Sequence, residues 1–169
     1  MSVIGIPSLA KPAFSRLTSA VMAIAPVIAA SILGSWATLP NIPDWYAGLA
    51  KPGFTPPNWI FGPVWTALYT IMVIAFYRIL RQPRGRNNRL VISAFMFQIF
   101  LNAAWSIGFF GARSPVLGAV IIIPLWISIL VTMILFWQRD RFSGASFIPY
   151  LAWVSFAALL NFAIWWKNS

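Results

Sequence analysis

This chain has almost nothing with which to move a proton. Asp44 and Asp140 are its only acidic side chains, and histidine, cysteine and glutamate are absent from all 169 residues. General acid–base and nucleophilic catalysis need positioned titratable groups. Zinc sites and haem axial ligation draw mostly on His and Cys, so a metal centre or a resident cofactor is not expected. What remains is a large stock of rings, with ten Trp, four Tyr and fourteen Phe, and a few amides set among them at helical steps. Trp65, Tyr69, Met72 and Phe76 share one helix face; Gln98, Asn102, Trp105 and Phe109 form a second stripe; Tyr150, Trp153, Ala157 and Asn161 form a third. Indole faces supplied with amide donors suit a flat, largely apolar ligand. Ring stacking adds about 0.5–1.5 kcal/mol per pair beyond burial, and small-molecule sites are mostly apolar with few polar anchors. The competing reading is structural: amides as interhelical hydrogen-bonding groups, and tryptophans as a belt at the membrane interface. Trp59, Trp137, Trp165 and Trp166 fit the belt better than Trp65 and Trp153 do.

The elements that must carry these stripes follow from composition. The chain is 60% hydrophobic and only 8% charged, against about 25% charged residues in a soluble domain. Bilayer is therefore its natural solvent, and the spacing predicts an all-α, single-domain bundle of five transmembrane helices. The expected spans are residues 17–39, 58–80, 90–110, 116–137 and 147–166, each long enough to cross about 30 Å of hydrocarbon. Residues 1–15 read as a frayed tail. Lys11 and Arg16 ahead of Ala23-Ile24-Ala25 also resemble a cleavable signal, but the apolar run continues well past the cut. Pro26 and Pro124 are expected to bend the first and fourth spans. Ser31, Gly34, Ser35 and Thr38 give the first a small, polar face for close contact or a ligand.

The net charge of +10 lies in the links between spans, which argues for topology and against nucleic-acid binding. With the N-terminus cytoplasmic, the inside holds Lys11, Arg16, five arginines between 78 and 89, Arg139 and Arg141. The outside holds Lys51, Arg113 and Lys167. This positive-inside bias puts the C-terminus and the first link on the extracytoplasmic side, most simply of a bacterial inner membrane. That link is rich in rings and prolines: Trp45, Tyr46, Phe54, Trp59 and Phe61 alternate with Pro43, Pro52, Pro56, Pro57 and Pro63. Proline fixes φ and removes a donor, so a stiff loop is expected, placed to act as a lid. Asp140, between Arg139 and Arg141, reads as a local ion pair.

The run W-Y-x-x-L-x-K-P-x-F-x-P-P from Trp45 to Pro57, followed by P-V-W-T-x-L-Y from Pro63 to Tyr69, resembles the TspO/MBR family of tryptophan-rich sensory proteins. Gln98, Asn102 and Trp105 with Phe109-Phe110, then Pro149-Tyr150-x-x-Trp153 and Leu160-Asn161, continue the resemblance in family order. It implies a five-helix membrane protein, a homodimer in many members, that binds porphyrins and related tetrapyrroles as ligands. Animal members also bind cholesterol and benzodiazepine-type drugs. The segment corresponding to their sterol-recognition stretch, Leu160 to Lys167, lacks its tyrosine. The pocket implied uses Tyr46, Pro56, Trp65, Asn102 and Trp153, to which the stripes add Tyr69, Gln98, Trp105, Tyr150 and Asn161. Gly111, Gly118 and Ala119 are candidates for close packing in a dimer. Some bacterial members are assigned a light-dependent porphyrin degradation that relies on two tryptophans, matched by Trp65 and Trp153. The expectation is a receptor, sensor or carrier; an enzyme and a scaffold without a small ligand are the alternatives.

Overall fold

A computed structural model describes residues 12–83, 85 and 87–169. Helix α1 is Arg16–Thr38, α2 Phe61–Leu80, α3 Asn88–Ser106, α4 Pro115–Trp137, α5 Arg141–Ala145 and α6 Ile148–Lys167. Backbone amides in hydrocarbon must be satisfied within their own segment, which leaves helices as the solution for runs this apolar. The starts are written in side chains. Ser15 Oγ accepts from the Thr18 amide, Ser114 Oγ accepts from the Leu117 amide ahead of Pro115, and the Asp140 carboxylate caps α5 at Ser143. Pro26 and Pro124 lie inside helices that continue through them. Among the described residues, five helical segments are long and apolar enough to cross a membrane: Arg16–Tyr46, Asn58–Leu80, Asn88–Gly111, Pro115–Trp137 and Arg141–Lys167. The chain is an all-α, multi-pass membrane protein.

Helix α1 packs on α2 and α3, α3 on α4, and α4 on α6. Contacts of Phe61 with Trp153 and of Trp65 with Tyr150 close the ring between α2 and α6. One end is solid. Phe76 and Phe95 stack with centroids 3.8 Å apart, Phe136 lies 6.1 Å from each, and Phe147 meets Phe136 edge-on at 5.1 Å. All four are fully buried. The basic links gather at this end. Arg78 Nε and Nη2 donate to the two carboxylate oxygens of Asp140 at 2.8 and 3.2 Å, Arg81 donates to the Phe14 carbonyl at 2.6 Å, and Arg139 donates to Asn88 at 3.4 Å.

Four sequence expectations change. Asp140 pairs with Arg78 from α2, not with its neighbours in sequence, because the α4–α5 turn folds back over the end of α2. The tail is tied down where it is described: the Ala13 amide donates to the Gln82 carbonyl at 2.9 Å. The remainder of that tail with Lys11, and Arg84 and Arg86, lie outside the described residues. The fifth span is preceded by the short helix α5, which crosses back against α2. Finally, the first link is less of a loop than its prolines suggest. A 3-10 turn at Leu39–Asn41 and a π-turn at Ile42–Tyr46 extend α1, with Pro40 and Pro43 in opening positions where a missing N–H costs nothing. Pro63 sits in the first turn of α2, so Pro52, Pro56 and Pro57 alone stiffen the extended stretch.

Two predictions arise at the basic end. A Cβ on Gly144 would stand 2.6 Å from the Trp137 Cα, a backbone atom that cannot rotate aside. Gly144→Ala is expected to destabilise the protein by about 2 kcal/mol through overpacking, read as a lower unfolding midpoint in detergent micelles. The hydrogen bonds from Arg78, then those from Ser143, hold the Asp140 carboxyl down to about 2 from an ordinary value near 4. A depressed carboxylate contributes stability that is fully present above its unfolded value and is lost as pH falls towards 2. Arg78→Gln is therefore expected to be less stable than the parent at pH 7, with the difference shrinking as pH falls towards 2, measured by thermal unfolding between pH 7 and pH 2; superimposable profiles would count against the ion pair.

Candidate functional site

The opposite end of the bundle is hollow. A cavity of about 410 Å³ lies between α1, α2, α3 and α6, within the roughly 300–1,000 Å³ usual for small-molecule sites. Each wall has a cause in the sequence. From α1 come Ser31, Gly34, Ser35 and Thr38, the small polar face, which leaves room where larger side chains would fill the space. From α2 come Phe61, Trp65 and Tyr69, one helical turn apart, with the Trp65 and Tyr69 rings 5.3 Å apart. Helix α3 supplies Trp105, and a π-turn at Ile107–Gly111 that continues it supplies Phe109 and Phe110. Helix α6 supplies Trp153, Ala157, Leu160 and Asn161.

The two π-turns meet over the cavity. Trp45 stands edge-on to Phe109 at 5.5 Å, and Tyr46 lies 5.5 Å from Phe110. Single π-turns redirect side chains within a helix, and here they aim Tyr46 and the Phe109–Phe110 pair at one another. Arg113, with φ of 53°, ends the second turn and donates through Nε to Asn41 Oδ1 at 2.8 Å. That bond ties the second turn to the end of the first helix.

Polar groups beneath the cavity are spent on one another. Tyr69 donates its hydroxyl to Asn102 Oδ1 at 2.7 Å, Asn102 Nδ2 donates to the Tyr150 oxygen at 2.9 Å, and Tyr150 donates to Gln98 Oε1 at 3.2 Å. This chain crosses α2, α3 and α6 and holds the Tyr69 ring against the cavity floor. A second set works at the side: Trp105 Nε1 donates to Asn161 Oδ1 at 3.1 Å, and Asn161 Nδ2 donates to the Pro115 carbonyl at 2.8 Å.

Of the ten residues expected at a site, the structure brings Tyr46, Trp65, Tyr69, Trp105, Trp153 and Asn161 to the cavity wall. Gln98, Asn102 and Tyr150 lie behind it, buried and bonded to each other, and Pro56 lies outside it. No residue from 47 to 57 forms part of the wall. This middle part of the expected lid leans on the end of α6, where the Asn168 side chain both accepts from the Ala50 amide and donates to its carbonyl, each at 3.0 Å. Phe61, Phe109 and Phe110 line the wall but were not among the expected site residues. The legible signal was Phe61 standing four residues before Trp65 and Phe109 four after Trp105. Gly118 and Ala119, candidates for a dimer contact, are buried within the protomer; a Cβ on Gly118 would stand 2.6 Å from Asn161 Oδ1.

Among relatives, the chain is 42% identical over 149 residues to the tryptophan-rich protein TspO of Archaeoglobus fulgidus, covering 88% of this chain and 96% of that one. It is 35% identical over 119 residues to the tryptophan-rich sensory protein of Cereibacter sphaeroides, covering 70% and 73% of the two chains. It is 34% identical over 126 residues to the human translocator protein, covering 73% and 75%. The model of the TspO/MBR family matches residues 22–167, so the match takes in every wall of the cavity and at least part of each of the five apolar spans: this chain belongs to the TspO/MBR family.

Proposed function

We propose that this protein is a membrane receptor or sensor that takes a porphyrin or related flat tetrapyrrole into the cavity between α1, α2, α3 and α6. Family membership supports the receptor or sensor role, relatives being named a sensory protein and a translocator protein. The observation that carries the ligand class is the wall itself: Trp65, Trp105, Trp153, Tyr46 and Tyr69, from four different segments, face one cavity. Planar rings offer a planar guest stacking on several sides, while Ser31, Ser35, Thr38 and Asn161 give it a few polar anchors. Held in place by packing and by the buried amide–phenol chain, these groups need little reordering to bind, which lowers the cost of association. Orientation follows the arginine bias, with the cavity end extracytoplasmic. A homodimer is part of the proposal, its contact made by surfaces other than Gly118 and Ala119.

The test is a titration of the purified protein with protoporphyrin. Saturable quenching of Trp fluorescence is expected, because four indoles line the cavity; quenching that rises linearly without saturation would leave a scaffold role instead. Illuminating the complex separates binding from degradation. Bleaching of the Soret band no faster than with another Trp-rich membrane protein would confine the role to binding.

A further inference from the structure

The way in is written in which wall residues are uncovered. Every wall residue contributed by α3, its π-turn and α6 is buried or half-buried. The exposed ones are Ser35 and Leu39, at the end of α1, and Asn58, Trp59, Gly62 and Thr66, at the start of α2. They face outward between two membrane-spanning helices. The link above offers no comparable opening. Its residues 47–57 contribute nothing to the wall, and they are held by the two Asn168–Ala50 bonds, by Lys51 Nζ donating to the Ala47 and Leu49 carbonyls at 3.0 and 3.1 Å, and by Phe54 against Phe156 at 6.3 Å.

We infer that the guest enters and leaves sideways, from the bilayer, through a mouth between α1 and α2, and so reaches the site as a lipid-dissolved molecule. This rests on the porphyrin-binding reading above. The mouth is compatible with hydrocarbon. Thr66 and Thr70 donate their hydroxyls to the carbonyls four residues back, at 2.9 and 2.8 Å, so neither presents an unpaired donor to lipid. Gly62 removes the one side chain that would stand in the opening at that level, and a Cβ built there meets nothing within 4 Å. Trp59, 73% exposed beside it, offers an indole to a flat molecule at the membrane interface, where amphipathic rings collect.

The absence of cysteine from the chain allows a clean test. Thr70→Cys marks the mouth and Gly53→Cys marks the link; both positions are exposed and neither forms part of the cavity wall. Each variant is reconstituted into phosphatidylcholine vesicles, with and without a bulky maleimide, and protoporphyrin association is followed by stopped-flow Trp quenching. Labelling Cys at position 70 is expected to slow association and dissociation at least tenfold with the Kd within threefold, and labelling at position 53 to change neither by more than twofold. Slowing at 53 as great as at 70, or no slowing at 70, overturns the lateral route. A Kd raised at 70 with the association rate unchanged overturns it too, since the label then disturbs the site and not its doorway. Failure of the unlabelled variants and the parent protein to bind protoporphyrin at all would instead remove the underlying reading.

Discussion

Trp65→Ala and Trp153→Ala are each expected to weaken protoporphyrin binding about thirty- to a hundredfold, while Trp166→Ala leaves it unchanged. The reason is position. Trp65 and Trp153 project from α2 and α6 into the same cavity, each held by a neighbouring ring: Tyr69 lies 5.3 Å from Trp65, and Phe61 stands edge-on to Trp153 at 5.7 Å. Aromatic anchors set in desolvated pockets typically cost at least about 2 kcal/mol when truncated, a thirtyfold change in Kd, and lost stacking adds to this. Trp166 is 85% exposed and outside the wall, so it reports any effect of merely removing an indole. Equal, small losses in all three variants would mean that porphyrin associates with the protein's membrane surface and not with the cavity.

Asn102→Leu is expected to lower stability by about 3 kcal/mol, the larger of the effects foreseen on folding. Leucine approximates the size of asparagine, so packing changes little, but two hydroxyls each lose a hydrogen bond. Tyr69 has no acceptor, and the Tyr150 oxygen no longer receives the amide N–H. An unsatisfied buried polar group costs about 1–3 kcal/mol, and the chain has no slack, since Gln98 Nε2 is already buried without a partner. Tyr69→Phe, which removes only one of these bonds, is expected to cost less than half as much. Thermal unfolding in micelles measures both. Because Tyr69 forms part of the wall, Asn102→Leu is also expected to loosen ligand binding severalfold even though Asn102 itself lies behind the wall. An Asn102→Leu variant as stable as the parent would show that the amide–phenol chain does not hold the floor of the cavity.

Much of this protein is legible along one dimension. Charge-free runs of bilayer length mark the spans, and the structure places helices there with shifts of a few residues, because hydrocarbon leaves the backbone no other way to pair its amides. Helical spacing likewise shows that Trp65 shares a face with Tyr69, and Trp153 with Tyr150 and Asn161. Spacing does not say which member of a stripe ends at the wall and which behind it. Asn102 and Gln98 sit on the same stripe as Trp105, yet Tyr69 from α2 and Tyr150 from α6 reach across and engage both amides.

What sequence by itself determined, then, is the class of the protein, its five crossings and the family, since these depend on composition and on local order. The tertiary structure alone decided where the space is. A cavity exists where small residues of α1 oppose the rings of α2, α3 and α6, and its exposed wall residues sit at the end of α1 and the start of α2. Both depend on how several helices pack together. The same holds for Asp140, whose partner is Arg78 and not an adjacent arginine, and for residues 47–57 of the proline-rich link, which rest on α6 through Asn168 and form no part of the cavity wall. Local rules fix the direction in which a side chain leaves its helix; the packing of several helices fixes what it meets.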